Sequence, residues 1–363
     1  MKKRNGAILA CLLVSAVALR ADDAVAPGLP APDAVRAAFL AQLDRPKVPL
    51  AARVVDSKAE APGLVAEHVR YDTEKKANGE LETVPAFVLR PEKGKERRPA
   101  VIVLHGTGGN KEGERERAFM LELAKRGFVT LSFDARYHGE RAGGAAKAEA
   151  YDRAIVRAWR AKPGEPQEHP WFLDTCWDIW RTLDYLETRA DVDPARIGMI
   201  GFSMGGIETW LAGAVDSRVT VAVPAISAQS FRWSLENDRW QGRARTVPAA
   251  HAAAAEDMGA RELNAKVVRA LWEKLLPGML GDFDGPSMMR LFAPDRPLLI
   301  LSSDNDPNCP IEGARLAFAA AETAYGPAAQ ERLKVDLASG VGHRVTDEQR
   351  ELALAWLVRW LKP

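Results

Sequence analysis

The sequence predicts an α/β fold, with a mostly parallel central sheet flanked by helices and a helical segment inserted late in the chain. Three observations carry this prediction. From about residue 100 onward, short runs rich in Val, Ile and Leu alternate with segments of helical periodicity. That order generates a parallel sheet covered on both faces. The apolar run 197–200 passes directly into Gly201-Phe202-Ser203-Met204-Gly205-Gly206, where glycines crowd a turn between a strand and a helix. The third is bulk composition. The 363 residues, 47% hydrophobic and 27% charged, supply a sizeable core and exclude a disordered chain.

The elements follow in order. Lys2, Lys3 and Arg4 precede an apolar run over 7–19, with small residues after it. This reads as an export signal over residues 1–21, with cleavage sites at Ala16-Val17-Ala18 or after Ala21. The run is shorter than the ~20 residues that cross a bilayer, so a secreted or periplasmic protein without stable membrane insertion is expected. Cys11 stands too early to be a lipoprotein cysteine. The rest, 22–363, reads as one domain. Its first stretch, 22–49, is Ala/Pro-rich and loosely ordered or a short helix. Strands are expected over 65–71, 84–90, 100–104, 128–133, 197–202, 219–223, 298–302 and 333–338. Helices are expected over 112–126, where Phe119, Met120 and Leu123 share a face, over 172–186, after Ser203, and over 311–324. Thr346-Asp347-Glu348-Gln349 reads as a capping box that opens a last helix bearing Leu354, Leu357, Val358 and Leu361. Two stretches break the rhythm. Residues 143–170 form a polar, Pro-punctuated insertion. Residues 225–297 form a longer, mostly helical one, expected as a cap or lid.

Charge narrows the function. Lys+Arg 50 against Asp+Glu 49 gives a net charge of +1, without the basic excess of a nucleic-acid binder. Three cysteines exclude a disulfide framework. Of the two beyond the leader, Cys176 and Cys309, the sequence leaves open whether they pair. No metal-ligand spacing stands out, and no cofactor is expected. The charge run 111–117 alternates in sign and reads as a solvated helix face.

The chemistry concentrates at Ser203. G-x-S-x-G after a strand throws the serine hydroxyl out of a cramped turn, and Gly201 and Gly205 are the small neighbours such a turn requires. A serine hydroxyl needs a base, and this arrangement places the partners in the order Ser, acid, His. Of six histidines only His251 and His343 follow Ser203. His251 lies in an Ala-rich part of the long insertion, whereas His343 follows Ser339-Gly340-Val341-Gly342 between the last strand and the last helix, so His343 is the candidate base. A cap or surface role is the blander reading of such a histidine. Asp304 and Asp306 follow strand 298–302. Asp306 is favoured as the acid, because Asp304 stands nearer the strand end and can serve as a turn residue. The run Asp304, Asp306, Asn308 mimics a calcium loop, but Cys309 occupies the glycine position and Arg315 the terminal glutamate position.

An oxyanion needs two donors. The amide of Met204 is one candidate, and the amide of Thr107 in His105-Gly106-Thr107-Gly108-Gly109 is the other, with Gly106 and Gly108 allowing close approach. These glycines fit no phosphate-loop pattern. His105 is read as bracing the loop. Trp171, Trp177 and Trp180 read as core. Trp233, Trp240 and Trp272 in the long insertion could stack on sugar rings, with packing the simpler reading.

From about residue 100 to the C-terminus these motifs, together with Asp134-Ala135-Arg136-Tyr137-His138-Gly139 and Asp193-Pro194-Ala195-Arg196-Ile197, resemble the α/β-hydrolase superfamily, in its dienelactone-hydrolase-like, acetyl-xylan-esterase-like and prolyl-oligopeptidase-like branch. The resemblance implies an α/β-hydrolase fold, hydrolysis through an acyl-enzyme, and structural roles near the pocket for Asp134, Arg136 and His138. Dienelactone hydrolases carry a cysteine nucleophile where this chain has Ser203. The residues before Ala100 are too few for the propeller of a prolyl oligopeptidase. The expectation is therefore an exported serine esterase acting on small-molecule or carbohydrate esters. The alternatives are a serine peptidase or amidase, and a non-catalytic binding protein. Oligomeric state is not legible.

Overall fold

The computed structural model describes residues 28–76, 78–94 and 96–362. The expected leader lies outside the described residues. Among these, nine strands form one sheet: β1 (Arg53–Ala61), β2 (Leu64–Lys75), β3 (Leu81–Pro91), β4 (Arg98–Leu104), β5 (Val129–Phe133), β6 (Val192–Phe202), β7 (Val219–Ala225), β8 (Leu298–Ser303) and β9 (Leu333–Ala338). Their spatial order is β1-β2-β3-β5-β4-β6-β7-β8-β9. The pairs β1/β2, β2/β3 and β3/β5 are antiparallel, and every later pair is parallel.

The period of two along a strand sends alternate residues to opposite faces, and β4 does this with apolar residues on both sides. Val101 and Val103 join a core with Phe119 and Leu123 of the Glu114–Lys125 helix and Leu354 and Leu357 of the Asp347–Leu361 helix. Ile102 and Leu104 join the opposite core, with Leu183 of the Leu173–Thr188 helix and Trp210 of the Met204–Val215 helix. The expected capping box is present. Gln349 N–H donates to Thr346 Oγ1 at 3.2 Å and Thr346 N–H to Gln349 Oε1 at 3.3 Å. Among the described residues, no helix is long and apolar enough to cross a membrane.

Three local differences separate sequence expectation from structure, and one expectation left open, at the Ala/Pro-rich start, is resolved in favour of the helix. Strand β1 was not expected. Its residues are mostly exposed, and it exists because β2 offers it a ladder of hydrogen bonds rather than because it buries an apolar face. The Ala/Pro-rich start does contain a helix, Pro32–Gln42, anchored by buried Val35 and Phe39. Its Arg36 donates to the carbonyls of Ala214 and Val215 at the C-terminal end of the Met204–Val215 helix. The polar insertion 143–170 holds an amphipathic helix, Glu149–Arg160, that buries Tyr151 and Ile155. Lastly, the charge run is not a solvated face throughout. Lys111 is buried, with its ammonium 3.1 Å from Asp134, and Glu116 is buried too.

Residues 225–297 contain helices Phe231–Glu236, Gln241–Ala244, Pro248–Asp257, Ala265–Leu275 and Gly285–Met289. Asp152 ties the two insertions together by accepting the amides of Ala249 and Ala250, both at 2.8 Å, at the start of the Pro248–Asp257 helix. Edge-on aromatic contacts among Trp171, Phe231 and Trp272 extend the same interface, and Trp272 is fully buried. Trp240 is buried as well, and Trp233 is half-buried. Cys176 and Cys309 are both buried and free, with no bond between them.

Candidate active site

The parallel register brings the C-terminal ends of β4, β6, β7 and β8 side by side, with Leu104 opposite Gly201 and Phe202 opposite Ala225. Ser203 stands between β6 and the Met204–Val215 helix with φ 53° and ψ −110°. A non-glycine residue there carries strain of about 1–3 kcal/mol that its surroundings must hold. Three backbone bonds do so: Ser203 N–H to Ala225 O at 2.9 Å, Gly205 N–H to His105 O at 3.1 Å and Ile207 N–H to Ser203 O at 3.0 Å. The flanking glycines have no room for a side chain. A Cβ on Gly201 would lie 2.0 Å from the Gly205 carbonyl oxygen, and one on Gly205 would lie 2.6 Å from Leu104.

His343 and Asp306 converge on this serine. His343 Nε2 is 2.8 Å from Ser203 Oγ, and His343 Nδ1 is 2.7 Å from Asp306 Oδ2. The second carboxylate oxygen, Oδ1, accepts the amides of Asn308 at 2.8 Å and Cys309 at 3.2 Å, so the buried Asp306 is oriented from both sides. With a carboxylate facing Nδ1, that nitrogen carries the ring proton and Nε2 is left to accept from the serine hydroxyl.

Asp304 does not reach His343. Its carboxylate instead accepts Ser339 Oγ–H at 2.6 Å and Gly340 N–H at 2.8 Å, while Asn305 Oδ1 accepts Gly342 N–H at 2.7 Å. Strands β8 and β9 run in register to Ser303 opposite Ala338, which sets the two loops side by side. Three consecutive residues thus work together, two fastening the histidine loop and one meeting the ring. The sequence reading missed Asn305. Its signal was the polar run after a late strand, which does not say which loop it faces.

Facing Ser203 is the loop after β4. Gly109 N–H closes a turn on Gly106 O at 3.0 Å, and Gly108 takes φ +78°. Met204 is the first residue of its helix, where an amide has no intrahelical partner. Thr107, Ser203 and His343 share the wall of a cavity of about 540 Å³, together with Thr246 and Asn308. His105 braces the loop. Its Nδ1 is 2.8 Å from Gly106 O and its Nε2 accepts Ala135 N–H at 3.1 Å. Burial first of all holds its pKa below the ordinary histidine value.

Among the described residues, the other histidines and charged residues singled out in the sequence make no hydrogen bond to Ser203 Oγ, which pairs with His343. Asp134 accepts the amides of Lys111 and Glu140 at 2.8 and 3.0 Å. Arg136 lies 2.6 Å from both Asp178 and Glu74. The Nδ1 of His138 is 2.8 Å from Arg136 O, and burial, with the neighbouring His105, pushes its pKa down to about 3. His251 is buried, with Nδ1 2.9 Å from Val247 O and Nε2 accepting Trp272 Nε1–H at 3.2 Å. Among the described residues, one group of possible metal ligands occurs, Asp306, Cys309 and His343, with donor atoms within 4.8 Å of one another. It suits a cation poorly. Burial and then Asp306 push the Cys309 thiol up to about 12, and the Arg243 guanidinium lies 3.3 Å from its sulfur.

Comparison with known proteins agrees with this architecture. The protein named "Putative hydrolase YtaP" of Bacillus subtilis (strain 168) is 26% identical over 77% of this chain and 84% of its own length. In fold, the chain is similar to an acetyl xylan esterase from Paenibacillus sp. R4, with a TM-score of 0.60 and 21% identity over 91% of this chain and 93% of that one. It is likewise similar to a glucuronoyl esterase from Solibacter usitatus, with a TM-score of 0.59 and 18% identity over 89% and 91% of the two chains. Residues 101–355 match the model of the alpha/beta hydrolase family. With its strand-turn-helix serine at the sheet's C-terminal edge and this match across most of its length, the chain belongs to the alpha/beta hydrolase family.

Proposed function

We propose that this protein is an exported serine esterase that cleaves small acyl esters, carbohydrate esters among them, through an acyl-enzyme. One observation carries the reading: the unbroken line from Asp306 through His343 to Ser203, with contacts of 2.7 and 2.8 Å. His343 Nε2 takes the hydroxyl proton as Ser203 Oγ attacks the ester carbonyl, and Asp306 stabilises the imidazolium that forms. The oxyanion of the tetrahedral intermediate accepts the amides of Thr107 and Met204, each worth ~10²–10³ in rate in such sites. The imidazolium then gives its proton to the departing alcohol. Water, activated by the same ring, hydrolyses the acyl-serine. Gly106 and Gly108 keep side chains out of the carbonyl's path. Residues 225–297 supply Thr246 to the cavity wall and act as its cap. The fold likeness to enzymes named for acetyl xylan and glucuronoyl esters supports an ester substrate.

A fluorophosphonate probe tests the reading. Wild type should label at Ser203, and Ser203→Ala should not. A panel from acetyl to long-chain esters, acetylated sugars and aminoacyl amides should show short esters cleaved and amides untouched. An unlabelled wild type refutes the serine mechanism, and cleavage of amides alone replaces the esterase by a peptidase.

A further inference from the structure

The wall of the Ser203 cavity carries two cationic side chains, Arg115 and Lys147, and no Asp or Glu. Of the two, Arg115 is held by its neighbours through its side chain, and Lys147 is placed by its backbone. The Arg115 guanidinium stacks on the Phe202 ring at 4.1 Å, one residue before the nucleophile. Its Nη2 lies 3.8 Å from where a Cβ on Gly106 would stand. Its Nε and Nη2 both donate to Glu116 Oε1, at 3.0 and 2.6 Å. Glu116, buried behind it, offsets part of the charge and fixes the direction in which the other N–H groups point. Lys147 has φ +50°, and its backbone packs against the same loop at Gly108. A Cβ on Gly108 would meet Lys147 C at 3.6 Å and Ala148 N at 3.4 Å. The nearest carboxylate in sequence, Glu149, is engaged by Arg153. The cavity edge therefore holds more positive than negative charge around the carbonyl-binding loop.

We infer that the Arg115–Lys147 edge selects esters that carry a carboxylate close to the scissile bond, an inference that rests on the esterase reading above. Both side chains are exposed, so water screens them and the preference is modest. Exposed charge pairs of this kind give up to about fivefold each, which multiply to about twenty-fivefold at most, and about tenfold is expected because Glu116 already engages Arg115. The field of the pair also weakens as salt shortens the screening length.

The test uses two matched substrate pairs with the full chain. In the first, the alcohol carries the charge: O-acetyl glucuronate against an O-acetyl methyl glucoside. In the second, the acyl group carries it: 4-nitrophenyl hemiglutarate against 4-nitrophenyl butyrate. For each pair the anionic-to-neutral ratio of kcat/KM is compared between wild type and the Arg115→Gln/Lys147→Gln double variant, which cancels intrinsic reactivity. The inference expects the ratio in at least one pair to fall about tenfold in the double variant. In wild type it should fall similarly on raising salt to the order of 0.5 M. Lys147→Glu should lower it further. Ratios unchanged by the substitutions in both pairs, in enzyme that still hydrolyses the neutral ester and labels at Ser203, overturn the inference alone. Absence of both hydrolysis and labelling in wild type overturns the esterase reading and the inference with it.

Discussion

Asp306→Asn separates the proposed proton relay from a merely adjacent set of polar groups. In the wild type, Oδ1 accepts two amides, Asn308 at 2.8 Å and Cys309 at 3.2 Å, while Oδ2 faces His343 Nδ1 at 2.7 Å. Asparagine has one acceptor oxygen. Keeping the two amide bonds puts that oxygen in the Oδ1 place and turns the NH₂ group toward His343. The ring must then accept at Nδ1 and carry its proton on Nε2, which donates toward Ser203 Oγ and can no longer take its proton. The flipped amide gives up both backbone bonds and sets its NH₂ against two N–H donors. The first orientation wins, and the tautomer is wrong for a base. Loss of the correct tautomer costs ~10³–10⁴ in rate in triads of this type, about 4–5.5 kcal/mol of transition-state stabilisation. The assay is kcat/KM on a short-chain aryl ester, with thermal unfolding to verify that the variant is folded. Asp304→Asn is the control, because Asp304 fastens Ser339 and Gly340 without touching the ring, and it should cost less than about tenfold. Retention of more than about a tenth of wild-type kcat/KM by Asp306→Asn refutes the relay, and so does equal damage from Asp304→Asn.

Three further outcomes follow from packing and burial. Gly201→Ala should unfold the elbow or cost at least 2 kcal/mol, because its methyl would sit 2.0 Å from the Gly205 carbonyl and overpacking against backbone cannot relax cheaply; an unchanged urea midpoint contradicts this. Trp272→Ala should destabilise by about 3–5 kcal/mol as a large cavity opens between the two insertions, whereas a sugar-stacking tryptophan would lower carbohydrate affinity at unchanged stability. Burial lowers the pKa of His251 to about 4 against 6.5 in the unfolded chain, so between these values the unfolded state holds the extra proton. Stability should fall as pH drops from 6.5 toward 4, by roughly 3 kcal/mol from this residue, and urea midpoints should fall less steeply in His251→Asn than in wild type.

The sequence by itself determined the alternation of strands and helices, the cramped turn at Ser203, the capping box at Thr346 and the loops that carry Asp306 and His343. Each is written in nearest-neighbour chemistry: apolar period, glycine where no Cβ fits, a side chain that caps its own helix. Tertiary structure decided what depends on a distant partner. Strand β1 has little apolar face and exists only as a pairing to β2. Lys111 reads as solvated among its charged neighbours, yet Asp134 on another element draws it inside. The division of labour among Asp304, Asn305 and Asp306 needed the register of β8 against β9, because three polar residues in a row look alike until it is known which loop lies opposite. Arg115 and Lys147, separated by 32 positions, share the Ser203 cavity because the start of the Glu114–Lys125 helix and the insertion beyond β5 close on the same sheet edge. Local pattern sets which backbone shapes are available, and long-range packing sets which charges meet.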